Sequence, residues 1–395
     1  MSDREVVVLS AARTAIGGYS GSLSGFEPAE LGGLVIKEAV SRAGVDPAKV
    51  GYTTLGNCIP TESRSSYVSR VAAVQGGLPH ETTAVTVNRL CGSGMQAIVS
   101  TAQSILLGDA DFGVGAGSEV MSKGGYLVPS ARFGARMGDT RMIDMMVAVL
   151  TDPFGVGHMG MTAENLAEKW GISREQQDEF AVESQRRAQA AIEGGYFKDQ
   201  IVPVTIKSRK GDKVFDTDEH PRFGVSVEDL ARMRPAFKKE GGTVTAGNAS
   251  GINDAAAALV LADRAAAEKA GHKPMARLVS YGICGVPNDV MGEGPIPSSR
   301  VALQRAGLKL EQMDVVESNE AFASQALTVM KGLGLDPNKT NPNGGAIALG
   351  HPVGATGTIL AVKALYELQR IQGQYALVTM CIGGGQGITA IFERM

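Results

Sequence analysis

The sequence predicts an α/β fold made of two copies of one unit with a loop-rich insertion between them. Three observations predict it. Segments from the first and last thirds of the chain resemble each other in the same order, apolar strand-like runs alternate with amphipathic helices at glycine-marked junctions, and the middle of the chain matches neither copy. The expected divisions are 1–121 for the N-terminal half, 122–270 for the insertion, and 271–395 for the C-terminal half, with part of 245–270 available to complete the first half.

Taken in order, the chain passes directly into the strand-like Val6-Val7-Val8-Leu9. Ala39-Val40-Ser41-Arg42-Ala43-Gly44-Val45 then ends an amphipathic helix and leads through a short strand, 52–55, to Asn57. Ala302-Leu303-Gln304-Arg305-Ala306-Gly307-Leu308 repeats this and leads through 314–316 to Asn319. The helix after Cys91 matches the helix after His351, and each is followed by a strand ending in glycines. Three pairs keeping nearly one spacing are not a chance match. Met95, Ile98, Val99, Ala102, Ile105 and Leu106 form one apolar face, as do Ile359, Val362, Leu365, Leu368 and Ile371. Gly108 and Gly373 end the two helices. Both are alanine-rich and poor in charge, so they are expected between two sheets with their N-termini near a shared centre.

The insertion opens with a Met- and Gly-rich stretch, 137–161. A helix is expected from near Thr162 and another from Ser173, where Gln176 completes a capping box. A polar hairpin, 207–220, follows. Most of the methionines read as adaptable core filler, whereas His158, between Gly157 and Met159-Gly160, stands out as a candidate site residue. His80, His220 and His272 read as surface or loop residues.

At 395 residues with 44% apolar composition, the chain has material for two or three compact units. A formal charge of −3 with scattered basic residues argues against nucleic-acid binding. Charges or glycines interrupt every apolar stretch before it reaches the length of a membrane span, and the first residues show neither a secretory nor a transit segment. These features read as a soluble cytoplasmic protein.

The chemistry centres on Cys91-Gly92-Ser93-Gly94, Gly350-His351-Pro352 and Cys381-Ile382-Gly383-Gly384-Gly385. Cys91 sits at a helix start, where free N–H groups and the helix dipole favour a thiolate. Cys381 follows an apolar strand, 375–380. Two thiols and an imidazole in glycine frames point to acyl transfer through a thioester. The competing reading of any such cysteine is a small buried hydrophobe, which is how Cys58 and Cys284 are read. Gly113-Val114-Gly115-Ala116-Gly117 lacks dinucleotide-fingerprint spacing, and there is no Walker loop.

With Asn88-Arg89-Leu90-Cys91-Gly92-Ser93-Gly94, Thr245-Ala246-Gly247-Asn248-Ala249-Ser250-Gly251, Val290-Met291-Gly292, Asn319-Glu320-Ala321-Phe322, Gly350-His351-Pro352 and Cys381-Ile382-Gly383 in this order, the whole chain resembles the thiolase family. The C-terminal Met380-Cys381-Ile382-Gly383-Gly384-Gly385-Gln386-Gly387 is most similar to bacterial acetyl-CoA acetyltransferases and broad-range short-chain β-ketothiolases, enzymes of fatty acid metabolism and polyhydroxyalkanoate precursor synthesis. Ser318 departs from the apolar residue more usual before the asparagine, which weakens a subclass assignment.

The resemblance implies a thiolase fold, with duplicated βαβαβαββ halves in a five-layer α-β-α-β-α core and an inserted loop domain. It implies Cys91 as nucleophile, His351 as its activator and Cys381 as the base at the α-carbon. Asn319, through a water, and His351 would form one oxyanion site, and the N–H groups of Cys91 and Gly383 the other. Arg222, Ala246, Ser250, His158 and Met159 would contact CoA, with Met291 and Phe322 closing the acyl site. Coenzyme A would be substrate and product, no other cofactor or metal would be needed, and the assembly would be a homotetramer, a dimer of dimers. Decarboxylating condensing enzymes share the fold but lack a second catalytic cysteine, and a non-catalytic acyl-CoA or lipid carrier would lack a catalytic residue.

Overall fold

A computed structural model of the chain describes residues 4–395. The N-terminal half opens with strand β1 (Val6–Thr14), helix α1 (Pro28–Ala43), β2 (Val50–Gly56), α2 (Val68–Gln75) and β3 (Thr83–Val87). It continues through α3 (Ser93–Leu107) to β4 (Phe112–Val120). After the insertion, whose main helices are α4 (Met159–Trp170) and α5 (Arg174–Glu193), the chain returns as β5 (Asn253–Asp263). The C-terminal half is β6 (Ala276–Gly285), α6 (Pro295–Ala306), β7 (Val315–Ser318), α7 (Ala323–Leu333), α8 (Thr356–Ile371), β8 (Tyr375–Ile382) and β9 (Gln386–Arg394).

The order in the first sheet is β3-β2-β4-β5-β1, with β2, β3 and β4 parallel and β5 antiparallel to both its neighbours. The second repeats it as β7-β8-β9-β6, with β7 and β8 parallel and β9 antiparallel. Two differences from a pair of separate five-stranded sheets emerge. The sheets are hydrogen-bonded into one where β1 meets β6, through Val7 opposite Arg277 and Val8 opposite Ala276. The strand expected beyond β7 is reduced to a single bridge between Val316 and Thr340. There the Asn341 side chain takes over the ladder, accepting from the Ser318 N–H at 2.9 Å and donating to the Ser318 carbonyl at 2.8 Å.

Helices α3 and α8 pack on each other and touch strands of both halves, while α1 lies outside the first sheet and α6 outside the second. Burial from both sides explains why Leu90–Leu107 reaches a mean hydropathy of 1.2, the composition of a membrane span, as the central helix of a layered core. The glycines at 113, 115 and 117 lie under Thr101, Ile98 and Ala355 of these central layers, so the run is a packing feature. Charge complementarity fastens the insertion to the core. Arg13 on β1 pairs bidentately with Asp218 at 2.7 and 2.9 Å, both fully buried, and its Nε donates to Gln200. The hairpin expected at 207–220 pairs Val204–Ile206 with Lys213–Phe215.

Candidate active site

The site forms where the N-terminal ends of α3 and α8 meet, beneath the insertion. Leu90, just before Cys91, has φ +47°, a left-handed conformation that is strained for a branched side chain. It is held by its N–H on Asn88 Oδ1 at 2.9 Å and by Ser93 Oγ, which donates to its carbonyl at 2.7 Å. This tight turn leaves Cys91 lining a cavity of about 530 Å³.

The expected lowering of the Cys91 pKa does not hold. Helix α3 begins only at Ser93, and the thiol packs against Ile59, Met121 and Val353. Burial therefore pushes it up to about 11, although the N–H groups of Gly383 and of Cys91 itself pull it down. The Glu119 carboxylate raises it further, and burial pushes Glu119 itself up to about 7. Burial, with Cys91 alongside, also drives the Cys381 thiol far above its ordinary range.

His351 is buried, and burial lowers its pKa to about 4, so its imidazole is neutral at physiological pH. The Thr356 hydroxyl lies 2.7 Å from its Nδ1 and 3.0 Å from the Pro352 carbonyl. When that hydroxyl donates to the carbonyl, Nδ1 carries the ring proton and Nε2 can accept; turned toward Nδ1, it leaves the proton on Nε2. Asn319 Nδ2 is 3.5 Å from Nε2, and Asn319 Oδ1 is buried with no protein partner.

Cys381 clusters with Met159, Met291, Ala321 and Phe322. Gly383 lies against Leu90 and the Met159 sulfur. His158, Met159, Arg222, Ala246, Ser250, Met291, Phe322 and His351 line the same cavity as Cys91, whereas Asn319, Cys381 and Gly383 stand just behind its wall. His158 caps α4, its Nδ1 accepting from the Gly160 N–H at 3.1 Å, so the helix begins three residues earlier than Thr162. Its ring stacks on Phe237 at 4.7 Å, and burial lowers its pKa. The 245–251 loop is laced to the Asn319 segment: Ser250 N–H donates to the Ala321 carbonyl and Ala323 N–H to that of Asn248.

The family described as "Thiolase, N-terminal domain" matches residues 6–265, and "Thiolase, C-terminal domain" matches 272–394. The chain belongs to the thiolase family. It is 62% identical to the β-ketothiolase BktB of Cupriavidus necator over 99% of this chain and 100% of that protein. It is 48% identical to an acetyl-CoA acetyltransferase of Paracoccus denitrificans over 99% of each. Among solved structures, the Bacillus anthracis acetyl-CoA acetyltransferase superposes with a TM-score of 0.97 at 44% identity, covering 99% of each chain. Human mitochondrial 3-ketoacyl-CoA thiolase in complex with CoA gives 0.96 at 44% identity, over 99% of this chain and 98% of that one.

In this thiolase the structure brings to the site residues not expected there, among them His220, expected on the surface or in a loop and standing in a loop that lines the cavity. His220 lines the cavity against Gly251, its pKa lowered by burial and by Arg222. Asn253 Oδ1 accepts the His351 N–H at 3.0 Å. Thr356 complements His351 in either tautomer. None sits in a distinctive motif, and His220 and Asn253 fall in the part of the chain that the duplication leaves unmatched.

Proposed function

We propose that this thiolase joins two acetyl-CoA, or acetyl-CoA and a short acyl-CoA, into a 3-ketoacyl-CoA and CoA, and catalyses the reverse thiolysis. The observation that carries this reading is the convergence of two thiols, a neutral imidazole and paired N–H donors in and just behind the wall of one cavity. Cys91 attacks the thioester carbonyl while its proton passes to His351 Nε2, and His351 returns that proton to the departing CoA sulfur. A second acetyl-CoA then loses an α-proton to Cys381 acting in its thiolate form, the minority form at physiological pH because burial raises this thiol's pKa. The resulting enolate attacks the acyl-Cys91 carbonyl and expels the Cys91 thiolate, which then takes the proton held at Cys381, so that Cys91 ends as the thiol and Cys381 as the thiolate with which the turnover began.

A thioester α-proton is weakly acidic, so the thiolate of a thiol whose pKa is driven up is the better matched base. Oxyanion donors supply the remainder, about 3–4 kcal/mol for each well-placed one. One site is His351 with a water held by Asn319; the other is the N–H pair of Cys91 and Gly383, both of which reach the Cys91 sulfur. His158, Met159, Arg222, Ala246 and Ser250 hold CoA along the cavity, and the scheme requires no metal or redox cofactor.

Met291, Phe322 and Met159 close the acyl end and favour short chains. Each buried CH₂ contributes about 0.8 kcal/mol where it fits, and methionine repacks around one or two more. Measuring kcat/KM for thiolysis across 3-ketoacyl-CoAs of increasing length tests this. Four carbons should work best, five or six usefully, and activity should fall steeply beyond eight, with Met291→Ala moving the optimum upward. A wild-type optimum at twelve carbons would contradict the short-chain assignment.

We take the working assembly to be a cytoplasmic homotetramer, a dimer of dimers. Two separate surfaces support it: the open edge of β3, and the insertion's exposed Phe133, Met137 and Met142.

A further inference from the structure

Glu119 takes no part in the steps above, yet it stands between the two halves of the site. Its Oε1 accepts from Asn57 Nδ2 at 2.9 Å and the Ile59 N–H at 3.1 Å. Its Oε2 accepts from the Cys58 N–H at 3.0 Å and the Gly354 N–H at 2.9 Å. All four partners are donors, a cage built for a carboxylate. Three of them belong to the loop after β2. That loop supports the nucleophile turn, since Cys58 Sγ donates to the Leu90 carbonyl at 3.2 Å. The fourth belongs to the loop carrying His351. There is no slack on that side: a Cβ on Gly354 would stand 2.4 Å from Glu119 Oε2.

Strand register explains how Glu119 came to this place. Gly56 lies opposite Gly117 in the first half, and Ser318 opposite Thr379 in the second. Asn57 and Glu119 therefore occupy in one half the positions that Asn319 and Cys381 occupy in the other. One copy of the duplicated centre carries the carbon base, and its counterpart carries an anchor.

We propose that Glu119 is a positioning residue that clamps the Cys58–Ile59 loop to the His351–Gly354 loop and so sets Cys91 against His351 across the two halves. It acts on the reacting groups without touching substrate, as none of its four partners belongs to the CoA-lining set. The inference rests on the acyl-transfer reading of Cys91 and His351.

The test compares full-length wild type, Glu119→Gln and Glu119→Asp in thiolysis of acetoacetyl-CoA, with hydrogen exchange followed at 57–59 and 351–355. Glutamine turns an NH₂ toward two of the N–H donors, so both loops should exchange faster. Misplacing reacting groups by about 1 Å costs on the order of 100-fold, so kcat should fall about 10- to 100-fold with the KM for CoA little changed. Aspartate should recover part of kcat. A folded Glu119→Gln enzyme with wild-type kcat and wild-type exchange overturns the proposal, as does a loss shared equally by kcat and KM without rescue by aspartate. Should the glutamine variant not fold, Glu119→Asp is judged alone, and wild-type kcat there overturns it. Failure of the wild type itself to thiolyse would instead sink the acyl-transfer reading, and the exchange at 351–355 would still decide the clamp.

Discussion

A thiol held near 11 beside an imidazole held near 4 is a neutral pair at physiological pH, not a preformed thiolate–imidazolium. Proton transfer must accompany attack, which makes the orientation of His351 more important than its basicity. The sign of the pH dependence follows. Below its pKa a thiol's ionised fraction grows about tenfold per pH unit, so alkylation of Cys91 by iodoacetamide should keep accelerating from about pH 7 to 10. A rate that levels off below pH 8 would show that the thiolate exists at rest. At this scale Cys91, His351 and Cys381 were legible because each stands in a glycine frame that leaves a reactive group room. The direction of the Cys91 pKa was not, because its burial comes from Ile59, Met121 and Val353, residues far apart in the chain. Glu119 was legible only in principle: nothing in its strand marks it, and its meaning appears when the two halves are aligned onto Cys381.

Helices α3 and α8 bring the two halves of the site to one point, and their contact has almost no tolerance. A Cβ on Gly357 would lie 2.2 Å from the backbone nitrogen of Met95, and no side-chain rotation relieves a clash with backbone. Gly357→Ala should therefore destabilise the fold by more than about 3 kcal/mol, beyond the usual range of single substitutions. Urea unfolding monitored by circular dichroism checks this, and a loss under 1 kcal/mol would mean that the helices can separate without harm. The pairing of these helices was readable from their shared periodicity and low charge. The collapse of the strand beyond β7 was not, because it depends on one side chain, Asn341, replacing ladder bonds.

The molecule as a whole is a duplicated core whose insertion supplies most of the cavity wall and carries exposed apolar side chains, with Met137 98% and Phe133 83% accessible. Sedimentation at micromolar concentration should give a tetramer, and Phe133→Asp with Met137→Asp should give a dimer that keeps CoA binding. A wild-type monomer would contradict the assembly. The duplication was visible in the sequence because Asn57 and Asn319, and Cys91 and His351, kept their spacing; the bridge from β1 to β6 that merges the sheets left no such trace. The central claim is that Cys91 carries the acyl group and Cys381 moves the α-proton. Intact-protein mass spectrometry after brief exposure to acetyl-CoA in deuterated solvent addresses both at once, with exchange into recovered acetyl-CoA read alongside. Wild type should gain one acetyl group and exchange α-protons, Cys381→Ala should gain the acetyl group without exchange, and Cys91→Ala should gain none. Acetylation and turnover surviving in Cys91→Ala would contradict the account.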